Sequence, residues 1–241
     1  MAGSEKEFRQ RAGKNAGVFN MGQTDLIGRQ RQILEFIAED KYLTANFFFT
    51  GGTALSAFYF HHRFSEDLDF FSEKEFNPRQ VLTAVMKLKK QVKAKTVEQQ
   101  NLTGQEVFFL GFSGKEKVKI DFAYFPFSHL GEFKKYKQLK IASLEDVSVN
   151  KIQAINTRRR SRDYVDLYFC LKRLGWQPVE IIKNFRLKFD VQLNYEQLIS
   201  SYVKVLDAED LPIFLQEVDW QAIKTYFLKE AEKLKSKILT K

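Results

Sequence analysis

The chain has 241 residues, 44% of them hydrophobic and 29% charged, with a formal net charge of +9. That length buries a sizeable core in one large or two small domains, and the composition excludes a disordered or collagen-like chain. A single cysteine, Cys170, excludes an internal disulfide, and no apolar run approaches the ~20 residues of a bilayer span.

Residues 1–22 are polar and rich in Gly, Lys and Arg, and read as a mobile N-terminal arm. They hold no apolar stretch of the secretory kind, so a cytoplasmic location without membrane contact is expected. Met21 offers an alternative start. Thr24 is a candidate N-cap for a helix to about Glu39, with Leu26, Ile27, Ile33, Leu34 and Ile37 on its apolar side. Phe47 to Thr50 reads as a short buried strand, Thr53 to Phe60 as a helix, and Asp67 to Phe71 as a second strand. Pro78 suits the first turn of a helix to about Lys95. Two further strands, over 106–112 and 117–125, are joined through Ser113-Gly114-Lys115, a hairpin signal.

After about residue 140 the pattern is helical to the end. Gly175 stops one helix, Pro178 starts the next, Asn194 with Gln197 resembles a capping box, and Asp219 can cap a last helix. The expected organisation is an α+β core over 23–140 followed by an all-helical half over 141–241. No low-complexity linker separates them, so close packing is expected. Most of the 24 phenylalanines, and Cys170 in VDLYFCLKRL, read as core.

The chemistry concentrates between residues 50 and 70. Successive strand side chains alternate faces, so Asp67 and Asp69 share one face while Leu68 and Phe70 enter the core. Two adjacent carboxylates repel, and a divalent cation resolves the repulsion. In the strand around Ile120, Asp121 faces away from Val118, Ile120 and Phe122. If that strand pairs beside the Asp67 strand, three carboxylates converge, and two metals could clamp an in-line phosphoryl or nucleotidyl displacement. Gly51-Gly52-Thr53, between strand and helix, lets the backbone approach a phosphate, with the Thr53 hydroxyl as an added donor. The bland readings are a tight turn and a solvated strand face; their conjunction within one segment favours the site. Arg63 and Ser65 just before the acids could balance phosphate or carboxylate, whereas His61 and His62 read as helix-end or partly buried groups.

Residues 134–173 hold eleven Lys or Arg against four Asp or Glu, net +7, a concentration that suits an anionic partner. Within them, Lys151 is a candidate nucleotide contact, and Arg158 and Arg159 could meet triphosphate or RNA backbone. Ser161 is a candidate cap for a helix carrying Asp163 and Asp166 on one face. The plainer reading of that stretch is capping plus ion pairs.

The blocks Thr50-Gly51-Gly52-Thr53-Ala54-Leu55 and His62-Arg63-x-Ser65-x-Asp67-x-Asp69-Phe70 resemble the AbiEii/AbiGii-type nucleotidyltransferase toxin family, a branch of the polymerase-β-like nucleotidyltransferases. Val118-Lys119-Ile120-Asp121 is similar to the family's third-acid strand, and Lys151 with Arg162-Asp163-x-x-Asp166 to its later motifs. The resemblance covers about residues 45–175. It implies a mixed-sheet core with a helical C-terminal half and Mg²⁺- or Mn²⁺-dependent transfer of an NMP from an NTP, releasing pyrophosphate. The acceptor it implies is RNA, above all tRNA, and the partner a cognate antitoxin of a toxin–antitoxin or phage-defence system. It assigns Gly51, Gly52, Thr53 and Lys151 to the nucleotide, Asp67, Asp69 and Asp121 to metal as the catalytic acids, and Asp121 also to activation of the acceptor. Two other classes stay open: a non-catalytic nucleic-acid or antitoxin-binding module, and a small-molecule, aminoglycoside-type nucleotidyltransferase.

Overall fold

The computed structural model describes residues 28–114 and 116–239. The expected N-terminal arm, Met21, the Thr24 cap with Leu26 and Ile27, and Lys115 of the hairpin turn lie outside the described residues. Helix α1 (Gly28–Ile37) buries Ile33, Leu34 and Ile37. Helix α2 (Lys41–Asn46) is capped by Asp40, whose carboxylate accepts from the Tyr42 and Leu43 amides at 2.9 and 3.0 Å. Strand β1 (Phe48–Thr50) is buried throughout and runs straight into helix α3 (Gly51–Leu55). The helix starts at Gly51 rather than at the expected Thr53. It continues as a π-helical turn over Ser56–Phe60, which His61 ends in the left-handed conformation at φ 53°.

Strand β2 (Leu68–Ser72) alternates as its residues dictate: Leu68, Phe70 and Ser72 are buried, Asp69 and Phe71 half-buried on the other face. Helix α4 (Pro78–Gln91) opens on the Asn77 cap and stops short of the expected Lys95. A strand the sequence reading missed follows, β3 (Thr96–Leu102), then β4 (Gln105–Gly111) and β5 (Lys117–Tyr124). Two three-residue strands, β6 (Lys134–Tyr136) and β7 (Leu139–Ile141), were also unforeseen. The seven strands lie in the order β3-β4-β5-β2-β1-β7-β6. β1 is antiparallel to β2 and parallel to β7, whereas β2 is parallel to β5 in the register Asp69↔Asp121. The sheet is therefore mixed, and its centre is the β5-β2-β1 triplet.

One face of that triplet is apolar. Phe70 sits 5.1 Å from Phe49 and 5.3 Å from Phe122, ring centre to ring centre, and α1, α2 and α4 close over them. Fully burying one such ring contributes about 1.5–3 kcal/mol, which explains the phenylalanine excess. The opposite face carries Asp69 and is covered by the helical half. This half comprises α5 (Leu144–Thr157), α6 (Ser161–Leu174), α7 (Pro178–Phe189), α8 (Tyr195–Val203) and α9 (Trp220–Leu239). Gly175 ends α6 at φ 67° and the Asn194–Gln197 capping box opens α8, as expected. Ser161 is not the cap of α6; Arg160 holds that place, and the Ser161 hydroxyl donates to the Asp210 carbonyl. A small cluster of Phe48, Leu55, Leu144, Val147 and Cys170 joins sheet and helices, so Cys170 is core.

The half is not helical throughout. Between α8 and α9 an extended strap pairs with His62–Phe64: the Phe64 amide donates to the Ile213 carbonyl at 2.8 Å, and the Leu215 amide to that of His62 at 3.1 Å. No helix among the described residues is long and apolar enough to cross a membrane.

Candidate active site

The acids come together because two strands pair in parallel. Asp69 of β2 stands beside Asp121 of β5, and Asp67 precedes Asp69 on the same face. The Asp121 carboxylate accepts from Gln105 Nε2 at 3.1 Å and from Lys119 Nζ, and Lys119 Nζ also lies 3.8 Å from Asp67 Oδ2. Among the described residues, Lys119 is the cation that ion-pairs with these carboxylates. Burial, and then the charges of Asp121 and Asp67, push the Asp69 carboxyl up to about 6. Among the described residues no three acidic, histidine or cysteine side chains form a closed metal-binding group. The sequence expectation of convergence holds for position on the sheet, while Asp121 is turned to Lys119 and Gln105.

The two glycines sit against this site for steric reasons. Gly51 has φ 79°, and a Cβ there would overlap Asp69 Oδ2; a Cβ on Gly52 would overlap Arg63 Nη2 and stand 3.2 Å from Ser65 Oγ. Arg63 cannot swing aside to make room, because it is pinned. Gly52→Ala is therefore expected to destabilise the fold by about 1–3 kcal/mol, read by urea unfolding. Wild-type stability in that variant would show that Arg63 is not fixed.

What pins Arg63 is a buried ion network. The Asp166 carboxylate, fully buried, accepts from Arg63 Nε and Nη2, each at 2.7 Å, and from His62 Nε2 at 2.7 Å. Lys151 Nζ lies 2.6 Å from Asp166 and 2.7 Å from Asp163, and Arg158 Nε donates to Asp163 at 2.7 Å. Burial would raise Asp166, but the charges of Arg63 and Lys151 outweigh it and hold the carboxyl well below its usual range. Burial lowers the His62 imidazole, which stays neutral and donates through Nε2. Arg63, Lys151 and Arg158 against Asp163 and Asp166 leave this pole net positive, facing the acidic pole.

Between the poles lies an open pocket of about 470 Å³. Gly51, Gly52, Arg63, Ser65, Asp67, Asp69, Lys151 and Arg158 all line it. The Thr53 hydroxyl does not: it is buried and donates to the Asp67 carbonyl, tying the helix start to the acid strand. Arg159 points away, 3.5 Å from Asp207, and Asp163 and Asp166 brace the cations from behind. The sequence reading missed Thr50, whose buried Oγ1 has no hydrogen-bond partner, and Arg162. Both stand inside the motifs it quoted without being given a role, and only the fold turns them toward the pocket.

The profile of the family described as nucleotidyl transferase AbiEii toxin, type IV TA system, matches residues 33–237. The protein aq_aa25 of Aquifex aeolicus is 27% identical over 207 residues, 84% of this chain and 94% of its own length. JHP933 from Helicobacter pylori has a similar fold at TM-score 0.54 and 21% identity, over 88% of this chain and 91% of its own. MenT4, a nucleotidyltransferase toxin from Mycobacterium tuberculosis H37Rv, overlays at TM-score 0.55 and 15% identity, over 86% of this chain and 84% of its own. At such identities the structural likenesses speak for the fold alone; the family profile, which runs from α1 into α9, carries more. By that match the chain belongs to the AbiEii nucleotidyltransferase toxin family.

Proposed function

We propose that the protein moves an NMP from an NTP to a hydroxyl of an RNA acceptor, with tRNA as the first candidate, and that a divalent cation, Mg²⁺ or Mn²⁺, is required. The observation that carries this reading is one pocket lined by Asp67 and Asp69 together with Gly51, Gly52 and Arg63, with Asp121 paired beside Asp69 on the neighbouring strand. The donor set fits a hard cation: oxygen ligands only, with Asp69 raised by burial and by the charges of Asp121 and Asp67. Asp67 and Asp69 would hold it, with Asp121 as a third ligand. Such an ion, when bound, neutralises charge on the transferring phosphoryl group.

The chain's own residues do the rest. Gly51 and Gly52 admit the triphosphate close to the start of α3, and the positive pole of Arg63, Lys151 and Arg158 faces its charge. The acceptor oxygen forms a bond to the α-phosphorus, the α–β bridging bond breaks, and pyrophosphate leaves. Asp121, beside Asp69 on β5, would take the hydroxyl proton once released from its ion pair with Lys119. The acceptor's anionic backbone would meet the basic stretch 134–173, although Arg158, Arg159 and Arg160 are each ion-paired with an aspartate. As a family member, the protein has a cognate antitoxin as its expected partner and a toxin–antitoxin system as its setting.

The test is transfer of label from each α-labelled NTP, with Mg²⁺, into total RNA. Labelling of one RNA class from one NTP is the expected result. Salt-sensitive RNA binding with no transfer from any NTP would replace the enzyme with a binding module. Label in a cationic small molecule would replace the acceptor.

A further inference from the structure

The pocket has a second end, and its chemistry is different. Beyond the carboxylates the wall becomes aromatic: Phe71, Phe125, Phe127 and Phe189, all half-buried. Their rings pack in series, with Phe71–Phe125 stacked at 4.7 Å and Phe125–Phe127 and Phe127–Phe189 edge to face at 4.8 and 4.9 Å. We propose that Phe125, Phe127 and Phe189 form the platform on which the base of the donor nucleotide stacks. The triphosphate then points toward Gly51, Gly52 and Arg63. This inference rests on the NTP reading above.

Strand geometry sets the spacing. Phe71 is two residues beyond Asp69 on the same face of β2, so the rings begin roughly 7 Å past the carboxylate at ~3.3 Å per residue. A ribose fills that gap between an α-phosphate held at Asp69 and a base on the rings. The reverse orientation is disfavoured at both ends. A ring face is the negative part of the aromatic quadrupole and offers a triphosphate nothing. The cation over the Phe125 ring, Lys188, is buried and committed to Asp146 at 2.5 Å and to the Ser128 carbonyl at 3.2 Å. At the other end, a base against Arg63 and Asp69 would strip water from charges without replacing it. Asn150, on the α5 wall, has an Oδ1 without a hydrogen-bond partner, an acceptor for a base N–H.

The experiment compares two probes on the full chain: non-transferable α,β-methylene analogues of the four NTPs, and inorganic tripolyphosphate, which has no base. Phe127→Leu is expected to weaken every nucleotide analogue about ten- to hundredfold while tripolyphosphate binds as before. Phe127→Trp, which restores a ring, is expected to recover the loss. Undiminished nucleotide binding by Phe127→Leu would overturn the platform and leave the NTP reading standing. Equal loss of both probes would also overturn it, marking Phe127 as merely structural. If the intact chain binds tripolyphosphate but no nucleotide analogue, the NTP reading falls and the platform with it.

Discussion

Asp69→Asn is expected to abolish nucleotidyl transfer and at the same time to stabilise the metal-free protein. The two effects share one cause. Asp69 is half-buried beside Asp121 and Asp67, and its carboxyl is pushed up to about 6 from an ordinary 3.8; Lys119 and Lys151 offset only part of the repulsion. Ionising it in the folded state costs on the order of 2–3 kcal/mol, which the asparagine escapes. Because the folded value lies above the unfolded one, the penalty is absent below about pH 4, grows as pH rises, and is complete above about pH 6. Melting temperatures in chelator should therefore coincide in acid and diverge toward neutrality, with the variant higher. Activity should fall at least about a thousandfold, since removing one preorganised charge contact alone costs a hundred- to thousandfold. A variant as active as the wild type would falsify the assignment of Asp69, whatever its melting temperature did.

The placement of Asp69 was legible in advance because its signals are local. Leu68 and Phe70 alternate with the acids, so the face of Asp69 follows from the pleat alone. The Gly-Gly turn and the β4–β5 hairpin are also local, and Gly114 takes φ 71° as such a turn requires. What escaped depends on partners far away in sequence. β3 reads TVEQQNL and is largely exposed; it is a strand because β4 pairs with it along its whole length, and nothing in its composition says so. The strap over Ile213–Leu215 looked like part of a helical half, yet it is extended because its backbone bonds to His62 and Phe64. The Thr53 hydroxyl looked like a phosphate donor, and its real acceptor is a carbonyl fourteen residues on. Lys151 was read as a nucleotide contact. It does line the pocket, but Asp163 and Asp166 hold its ammonium in place.

Asp166→Asn is expected to do the opposite of Asp69→Asn in stability and to reach activity only through Arg63. The wild-type carboxylate satisfies both Nε and Nη2 of Arg63, and Lys151 as well, with no exposure to water. Removing its charge leaves the buried Arg63 without its carboxylate and Lys151 dependent on Asp163, which Arg158 already shares, a loss of about 3–5 kcal/mol for a broken buried pair. Urea unfolding near neutral pH measures it. The sign of the pH dependence separates this from a simple packing defect. Asp166 is held well below its ordinary range, so its contribution is full above about pH 4 and fades only as acid protonates the folded carboxylate. The gap between wild type and variant should thus be flat across neutrality and narrow only in strong acid; a gap that varied between about pH 5 and 8 would assign the loss elsewhere. The two substitutions together define the pocket. Asp69 is raised by burial and by the carboxylates beside it, whereas Asp163 and Asp166 are depressed because their cations are already in place. A ligand that brings cation and anion together, as a metal–triphosphate does, is complementary to both poles at once.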